Sequence, residues 1–411
     1  MPSRFATPTL NYALVYWVLL LNSIGVGAFM TLLPSIAREV EIPDTLIAST
    51  LTLSAVLLLL TTNAWARLSD RRGRKLVIIF GSCGFTAAAF FSGLGVYIGE
   101  QRLVAPLAAF AVIVIGRACY GAMGLASNPA AIAFVADRSS REDRTKALAG
   151  LSSAQGVGAI VGPAVTPLLI LPYLSLAGPF FVITVVGCIS ILVVGFALVE
   201  APAVQPSATR KDNPRALWKE RALRPILSYT FISSFCFVAQ QMTIGFVIID
   251  ALAIEPVAAQ RYTGVALMGG AAATLFTQLV LVRILRLKPP TLMVAGPVLA
   301  LTGNIGLAYA TSYAAIAGGF VLASFGYALA RPGYMAGGSL SVPADRQGEV
   351  AGALMSAVSV ALIFSPVAFL SVYEISRPAP FVIISVLMAG SCTLALLHPA
   401  LRNISTREAA A

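Results

Sequence analysis

The feature that most constrains this chain is a series of twelve apolar stretches, each about 20 residues long, separated by short polar breaks. A helix of that length crosses the roughly 30 Å hydrocarbon core of a bilayer. The chain is 58% hydrophobic and 11% charged, far from the usual values of a soluble domain. We predict membrane spans at residues 13–34, 46–66, 76–98, 104–127, 148–171, 178–199, 225–249, 262–282, 290–310, 313–338, 350–373 and 378–398.

The predicted fold class is all-α integral membrane, with twelve transmembrane helices in two pseudo-symmetric six-helix bundles. A polar stretch that contains Arg210, Lys211 and Lys219 divides the spans six and six. We therefore predict an N-terminal bundle at residues 1–199, a cytoplasmic linker at 200–224 and a C-terminal bundle at 225–411. A polybasic lipid-binding surface is the alternative interpretation of the linker.

The distribution of charge predicts the topology. The net charge is +11, and 22 of the 28 Lys and Arg residues fall in segments on the side of the amino terminus. The opposite loops hold four, namely Arg38, Arg102, Arg261 and Arg377. By the positive-inside rule both termini are cytoplasmic in a multi-pass protein of the cytoplasmic (inner) membrane. The positive charge is thus a topology signal, and we expect no nucleic-acid partner.

Landmarks in spans four and five recur in spans ten and eleven at a constant offset. The offset is 202 or 203 residues for three pairs: Pro129 with Pro332, Arg144 with Arg346, and Pro163 with Pro366. A duplicated six-span unit is typical of a carrier, whose site lies near the membrane midplane and is exposed alternately to each side.

The loop between spans two and three places one acid among five positive charges, in the segment 66–75. An acid among arginines beside a glycine predicts a tight turn with charge-assisted hydrogen bonds. This segment resembles the loop signature of the major facilitator superfamily through Asp70, Arg71, Gly73 and Arg74. The resemblance implies that these residues hold the cytoplasmic side closed. The usual leading glycine of the signature is Ala66 here.

Span five carries Gly158, Gly162 and Pro163. Small residues four apart allow close helix packing, and proline bends a helix. Their spacing resembles the fifth-span signature of exporters in the twelve-span drug:proton antiporter branch, which includes tetracycline and bicyclomycin exporters, although its final two glycines are Thr166 and Pro167 here. The resemblance runs from about residue 20 into span eleven and implies export and a gating role for these residues.

Arg117 lies halfway along span four, with Tyr120 on the same helix face. A central arginine costs about 2.5–3.5 kcal/mol even on mild insertion scales, so we expect its side chain to face the bundle interior or a wet cavity. Arg117 with Gly121 also resembles the fourth-span signature of the same branch. Satisfaction by carbonyls and packing is the alternative.

Arg331 in span ten directly precedes Pro332, so we expect a kinked or partly unwound helix there. Tyr327 and Tyr334 would lie on its face if the helix persists. None of the 17 acidic residues is central in a span, and two deep arginines without such an acid favour an anionic substrate. The alternatives are that Arg331 snorkels to the interface, or that both arginines pair with backbone carbonyls.

Further candidate substrate-binding residues are polar or aromatic side chains inside spans one and seven: Asn22, Phe237, Gln240 and Gln241. Asn22 occupies the span in which related drug exporters often carry an acid. The glutamines are equally explained as interhelical hydrogen-bond partners. The coupling residue stays open between Asp250, Glu374 and the substrate's own protonation, with interfacial anchoring as the alternative for the two acids.

Together these patterns predict a secondary active transporter that exports a small organic solute by alternating access, in antiport with protons. The solute would be a drug or a metabolite such as a siderophore, and an anionic one is favoured. The alternatives are an uptake carrier for an organic anion and a non-transporting membrane sensor. We expect a monomer in the lipid bilayer, with no enzymatic activity, cofactor or bound metal.

Overall fold

A computed structural model describes residues 8–140, 143–200, 220–221, 223–285, 287–343 and 346–402. Within these ranges the regular structure is helical, and no strand longer than an isolated bridge occurs. The helices are α1 Pro8–Glu39, α2 Asp44–Arg72, α3 Arg74–Glu100, α4 Pro106–Ala122, α5 Ser127–Arg138, α6 Arg144–Val165, α7 Gly178–Ala197, α8 Arg224–Leu252, α9 Pro256–Phe276, α10 Val282–Leu285, α11 Pro289–Ala308, α12 Tyr313–Leu340, α13 Gln347–Ile375, α14 Ala379–Leu397 and α15 Pro399–Arg402.

Twelve helical stretches of the described chain are long and apolar enough to cross a membrane. The predicted number of spans is confirmed, and each predicted span overlaps one of these stretches. Span four extends further than predicted, because a 3₁₀ turn at Gly124–Ala126 joins α4 to α5 and the helical path continues to Arg138. The predicted linker at 200–224 lies largely outside the described residues.

The helix ends follow the chemistry of the residues there. Several helices have proline in the first turn, where its missing N–H needs no partner; among them are α4, α7, α8, α9, α11 and α14. Ser312 caps α12 by accepting a hydrogen bond from the backbone N–H of Ala315 at 3.3 Å. Inside the spans, hydroxyl groups donate to carbonyls one turn earlier, as Thr31 does to Gly27 at 2.8 Å. Polar side chains at membrane depth are satisfied in this way.

We expected a kinked or partly unwound helix at Arg331 and Pro332; no unwinding is found, and the kink stays a prediction. The helix α12 runs without interruption from Tyr313 to Leu340. A single proline removes one hydrogen bond, and the packing of the remaining residues keeps the helix intact. The break lies instead in span four, at Met123 with φ −127° and ψ −50°, shortly before Pro129.

The chain divides into two compact units. Unit 1 comprises Met1–Thr209 with Pro256–Gly264, and unit 2 comprises Arg210–Glu255 with Val265–Ala411. The boundary near residue 264 falls inside α9, so the first turns of this helix pack with unit 1. The predicted bundles at 1–199 and 225–411 stay a prediction.

In unit 1, α1 and α6 approach closely through glycines. A Cβ atom at Gly158 would lie 2.6 Å from the carbonyl oxygen of Leu20, and one at Gly162 would lie 2.6 Å from that of Ile24. A Cβ atom at Gly27 would meet the ring of Pro163 at 2.7 Å. The backbones therefore touch along this seam, as the small-residue spacing of span five predicts.

The start of α9 adds polar contacts to unit 1. The hydroxyl of Ser35 donates to the carbonyl of Pro256 at 2.5 Å, and the buried amide of Gln260 donates to Ser35. Gly264 continues the contact, since a Cβ atom there would lie 2.6 Å from the carbonyl oxygen of Pro163. These buried polar groups join the end of α1 to the beginning of α9.

In unit 2, α11 and α12 form a second glycine-lined seam, which sequence reasoning did not identify. A Cβ atom at Gly326 would lie 2.5 Å from the carbonyl oxygen of Gly296, and one at Gly303 would lie 2.6 Å from the amide nitrogen of Ala323. On the neighbouring face, the fully buried Tyr229 donates its hydroxyl to the carbonyl of Met293 at 2.8 Å. The helices α11 and α12 thus pack backbone against backbone along this seam.

We predict that Gly162→Ala destabilises the protein, because the new methyl group forces α1 and α6 apart. Gly195→Ala is the matched control, since a Cβ atom there has nothing within 4 Å and alanine adds up to about 1 kcal/mol of helix propensity. The melting temperature in detergent should fall for Gly162→Ala and stay constant or rise for Gly195→Ala. Equal melting temperatures for the two variants would contradict the close seam.

Candidate functional site

Arg117, on α4 in unit 1, is a buried arginine with 7% of its surface exposed. Its guanidinium lies 4.3 Å from the ring centroid of Phe29 and 4.9 Å from that of Tyr120. Among the described residues, no carboxylate lies within salt-bridge distance, and Nε is buried without a hydrogen-bond partner. The positive charge is therefore stabilised by aromatic faces and not by an acid.

A small cavity of about 30 Å³ lies beside this guanidinium. Its lining includes Gly25, Phe85 and Ser92 as well as Arg117 and the two rings. This volume suffices for a water molecule. Phe85 closes the cavity on one side, because its ring occupies the space beside Gly25, only 2.5 Å from where a Cβ atom would stand. In this conformation the site accepts a small polar group and no drug-sized molecule.

Asn22 joins Tyr120 and Ser127 through hydrogen bonds, and Tyr120 in turn contacts Arg117 through its ring. The Tyr120 hydroxyl donates to Oδ1 of Asn22 at 3.1 Å, and Nδ2 of Asn22 donates to Oγ of Ser127 at 3.1 Å. Ser127 reaches this position because the helix breaks at Met123 and restarts as α5. We call Asn22, Phe29, Arg117, Tyr120 and Ser127 the Arg117 cluster.

The sequence interpretation named three members of this cluster and missed Phe29 and Ser127. Phe29 stands seven residues after Asn22, so both lie on one face of α1. That spacing was the available signal for Phe29. Ser127 had no such signal, because its position depends on the helix break.

Unit 2 contains a second buried polar group, the Gln240 cluster, formed by Phe237, Gln240, Asn304 and Tyr327. Nδ2 of Asn304 donates to Oε1 of Gln240 at 3.2 Å and lies 3.3 Å from the hydroxyl of Tyr327. Nε2 of Gln240 donates to the carbonyl of Phe320 at 3.2 Å. The rings of Phe237 and Tyr327 meet at 5.5 Å. Three helices, α8, α11 and α12, are thus joined by polar contacts.

Asn304 completes this network, and sequence reasoning missed it although it is an amide inside an apolar span. Its Oδ1 is buried without a hydrogen-bond partner among the described residues. The neighbouring Gln241 likewise has a buried Oε1 without a partner. An unpaired buried acceptor costs about 1–3 kcal/mol, so these atoms mark places where a donor would be stabilised.

Arg331 does not lie in the Gln240 cluster: Arg117 is buried whereas Arg331 is exposed, and the substrate-binding role expected of Arg331 stays a prediction. The buried face of α12 carries Tyr327, Ala330 and Tyr334, spaced three and four residues apart. Arg331 lies at the edge of this face, about 40° from Tyr327 and about 60° from Tyr334 around the helix axis. Tyr334 packs against Tyr229 at 6.3 Å in an apolar core and also stands apart from the cluster.

The predicted turn between spans two and three is present, and Arg74 is its centre. Its guanidinium contacts Oδ1 of Asp70 at 2.5 Å, Oδ2 of Asp137 at 3.2 Å and Oγ of Ser69 at 3.0 Å. Arg71 is exposed. Charge-assisted hydrogen bonds thus join the end of α2 to α5, as expected for an acid held among arginines. The gating role of these residues stays a prediction.

Gly73 occupies a backbone conformation that other residues avoid. Its φ of 98° and ψ of 159° belong to a region populated almost only by glycine. A Cβ atom there would lie 2.6 Å from Oε2 of Glu200. The same oxygen accepts a hydrogen bond from the backbone N–H of Lys75 at 2.7 Å, at the positive end of the α3 dipole. Asp137 and Glu200 were not identified from the sequence.

Unit 2 has a charge cluster of its own at Arg346. Its guanidinium contacts Glu220 at 2.6 Å and Glu349 at 3.1 Å. Hydrogen bonds to Glu220 and then to Glu349 raise the pKa of Arg346 above its ordinary value. All three side chains are partly exposed, so the pairs add little stability.

Twelve membrane-crossing helices with polar clusters buried inside them define the class of multi-pass membrane transporters. The family model of the Major Facilitator Superfamily matches residues 15–366. The chain belongs to the Major Facilitator Superfamily.

Two curated relatives are drug-resistance proteins. The chain is 27% identical to the tetracycline resistance protein, class C, of Escherichia coli over 374 residues. This match covers 87% of this chain and 88% of the relative. The chain is also 24% identical to multidrug resistance protein 2 of Bacillus subtilis over 236 residues. That match covers 55% of this chain and 56% of the relative. A solved bacterial homologue of the human lysosomal transporter Spinster shares the fold, with a TM-score of 0.76, 13% identity and coverage of 97% and 98%.

We predict that Gly73→Ala lowers stability by about 1–3 kcal/mol, because alanine must adopt a strained conformation and displace Glu200. The double variant Gly73→Ala with Glu200→Ala removes the steric conflict but keeps the strain, so it should still unfold more readily than Glu200→Ala alone. Gly348→Ala serves as control, since a Cβ atom there meets nothing within 4 Å. Chemical unfolding in detergent measures these differences, and a neutral Gly73→Ala would refute the assignment.

Proposed function

We propose that this protein is a secondary transporter that exports small organic anions by alternating access, in antiport with protons. The observation that carries the proposal is Arg117, a buried guanidinium beside a cavity without a carboxylate partner in the described chain. The Arg117 cluster supplies the charge, and Asn22, Tyr120 and Ser92 supply neutral polar groups. A drug or a metabolite such as a siderophore is the proposed solute.

The energetics of Arg117 support an anion. Burial of a central arginine costs about 2.5–3.5 kcal/mol on insertion scales. Two cation–π contacts recover about 0.5–2 kcal/mol each. These contacts involve the face of the guanidinium and do not use its N–H donors. A carboxylate or phosphate at this place would form charge-assisted hydrogen bonds, the strongest that such a site allows. The side chain of Arg331 is exposed, so the cost of burying a charge does not apply to it.

Export is the proposed direction. The glycine seam of span five resembles that of exporters, and the names of the two curated relatives concern drug resistance. Uptake of an organic anion is the second candidate, since Arg117 suits it equally well. We also propose a monomer in the cytoplasmic membrane with both termini cytoplasmic, which rests on the distribution of Lys and Arg.

Glu100 is the proposed protonation site for coupling. It ends α3, and Oε1 accepts a hydrogen bond from the backbone N–H of Leu176 at 3.3 Å. Oε2 is buried and has no hydrogen-bond partner among the described residues. A buried carboxylate oxygen without a donor favours the protonated form. By contrast, Oδ2 of Asp250 accepts a hydrogen bond from the Tyr373 hydroxyl at 2.8 Å and lies 3.8 Å from Nε of Arg377.

We predict that Arg117→Gln lowers transport of an anionic probe at least tenfold, because one charge-assisted contact is lost. Inside-out vesicles would accumulate carboxyfluorescein with the wild-type protein, and ethidium serves as the cationic comparison. The exposed Arg402→Gln is the control, and Arg117→Lys should retain part of the rate. Preference for ethidium, unaltered in Arg117→Gln, would contradict an anionic substrate.

We predict that Glu100→Gln uncouples transport from the proton gradient while downhill flux of the same probe continues. The measurement is substrate-dependent loss of a preformed pH gradient in proteoliposomes, followed with a pH-sensitive dye. Glu41→Gln is the control, because Glu41 is exposed and paired with Arg102 at 2.9 Å. Proton movement that persists in Glu100→Gln would exclude this residue as the coupling site.

A further inference from the structure

A larger cavity lies within unit 2, at the ends of four helices. It has a volume of about 450 Å³, against about 30 Å³ beside Arg117. Its walls come from the end of α8, the end of α11 with the following loop, and the junction of α13 and α14. We call it the Asp250 pocket. Its volume falls in the range of about 300–1,000 Å³ that is typical of sites for small organic ligands.

The interior of the Asp250 pocket is apolar. Val247, Leu307 and Phe381 line its walls, and Ala308 and Ala310 leave space because their side chains are small. A hydrocarbon segment in contact with these side chains would be removed from water, at about 25 cal/mol for each Å² of apolar surface. The inner part of the pocket is therefore suited to the apolar part of a ligand.

The polar edge of the pocket consists of Asp250, Tyr373 and Arg377. Asp250 is mostly buried, with 15% of its side chain exposed, and its Oδ2 accepts the Tyr373 hydroxyl at 2.8 Å. The side chain of Arg377 is 65% exposed, and its Nη1 donates to the backbone oxygen of Asp250 at 3.1 Å. Nε of Arg377 also lies 3.8 Å from Oδ2 of Asp250, so these contacts hold the guanidinium at the edge of the pocket. A cation would meet a carboxylate that is already paired, whereas an anion would meet an exposed guanidinium with further N–H donors.

The position of the pocket indicates the kind of anion. Its walls are the ends of membrane-crossing helices, which lie at the level of lipid head groups. Tyr309, which lines the pocket, is exposed, as expected of an aromatic side chain at the membrane interface. A ligand at this level can place a charged group at Arg377 and an apolar chain along Val247 and Leu307.

We propose that the Asp250 pocket binds an amphiphile with an anionic phosphate or carboxylate head group. The head group pairs with Arg377, and the apolar tail fills the space between Leu307 and Phe381. The site lies within unit 2 alone and is separate from the Arg117 cluster, so the proposal does not depend on the transported solute. A membrane phospholipid and a free amphiphile share this chemistry, and the experiment below distinguishes them.

The test is native mass spectrometry of the purified full-length protein with two probes, dioleoyl phosphatidylglycerol and decyl phosphate. Arg377→Gln should weaken binding at least tenfold, because the charge-assisted contact is lost. Ala310→Phe should do the same with the arginine intact, because the ring fills the pocket. Arg102→Gln is the matched control, since Arg102 is an exposed loop arginine paired with a carboxylate at 2.9 Å but outside the pocket.

Binding of either probe supports the proposal, and competition between the two probes identifies the source of the ligand. Retention of phosphatidylglycerol that decyl phosphate does not displace assigns the pocket to membrane lipid, and displacement assigns it to a free amphiphile. The proposal is overturned if the wild-type protein binds neither probe, or if Arg377→Gln and Ala310→Phe bind both as the wild type does. Melting temperatures establish that the exposed Arg377→Gln variant remains folded, so lost binding cannot be attributed to unfolding.

Discussion

The structure depends on one constraint, the absence of water around the membrane-crossing part of the chain. Backbone N–H and C=O groups must then be paired within each segment, so every span is a helix. Helices in lipid gain nothing from hiding apolar surface and instead associate by close packing. The seams at Gly158 and Gly162 in unit 1, and at Gly296 and Gly326 in unit 2, bring backbones together for this reason.

The same constraint gives Arg117 its importance. In water an arginine without an acid partner would be ordinary, whereas at membrane depth its charge must be offset by nearby groups. Phe29 and Tyr120 supply ring faces, and Asn22 holds Tyr120 in place through its hydroxyl. A small cavity beside a buried guanidinium, with no acid partner among the described residues, would suit the anion that we propose, which a carrier must both bind and release.

Much of the fold followed from the sequence, and parts of the candidate site did as well. Asp70, Gly73 and Arg74 were identified because their motif is local, and the structure brings Asp70 and Arg74 together across the turn at Gly73. Asn22 was named apart from Arg117 and Tyr120, and the structure joins the three through Tyr120. Glu200 and Asn304 were missed, because their partners Lys75 and Gln240 stand more than 60 residues away along the chain. Arg331 was expected to be deep and is exposed.

The sequence by itself determined that the chain crosses a membrane twelve times, because span length and hydropathy are properties of consecutive residues. It also determined the tight turn at Gly73, for the same local reason. Only the tertiary structure decided which polar side chains share a site and which face away. Those outcomes depend on the rotation of each helix about its axis, where one residue is about 100°, and on helix breaks such as that at Met123. Packing between distant segments sets both, and a linear pattern does not contain it.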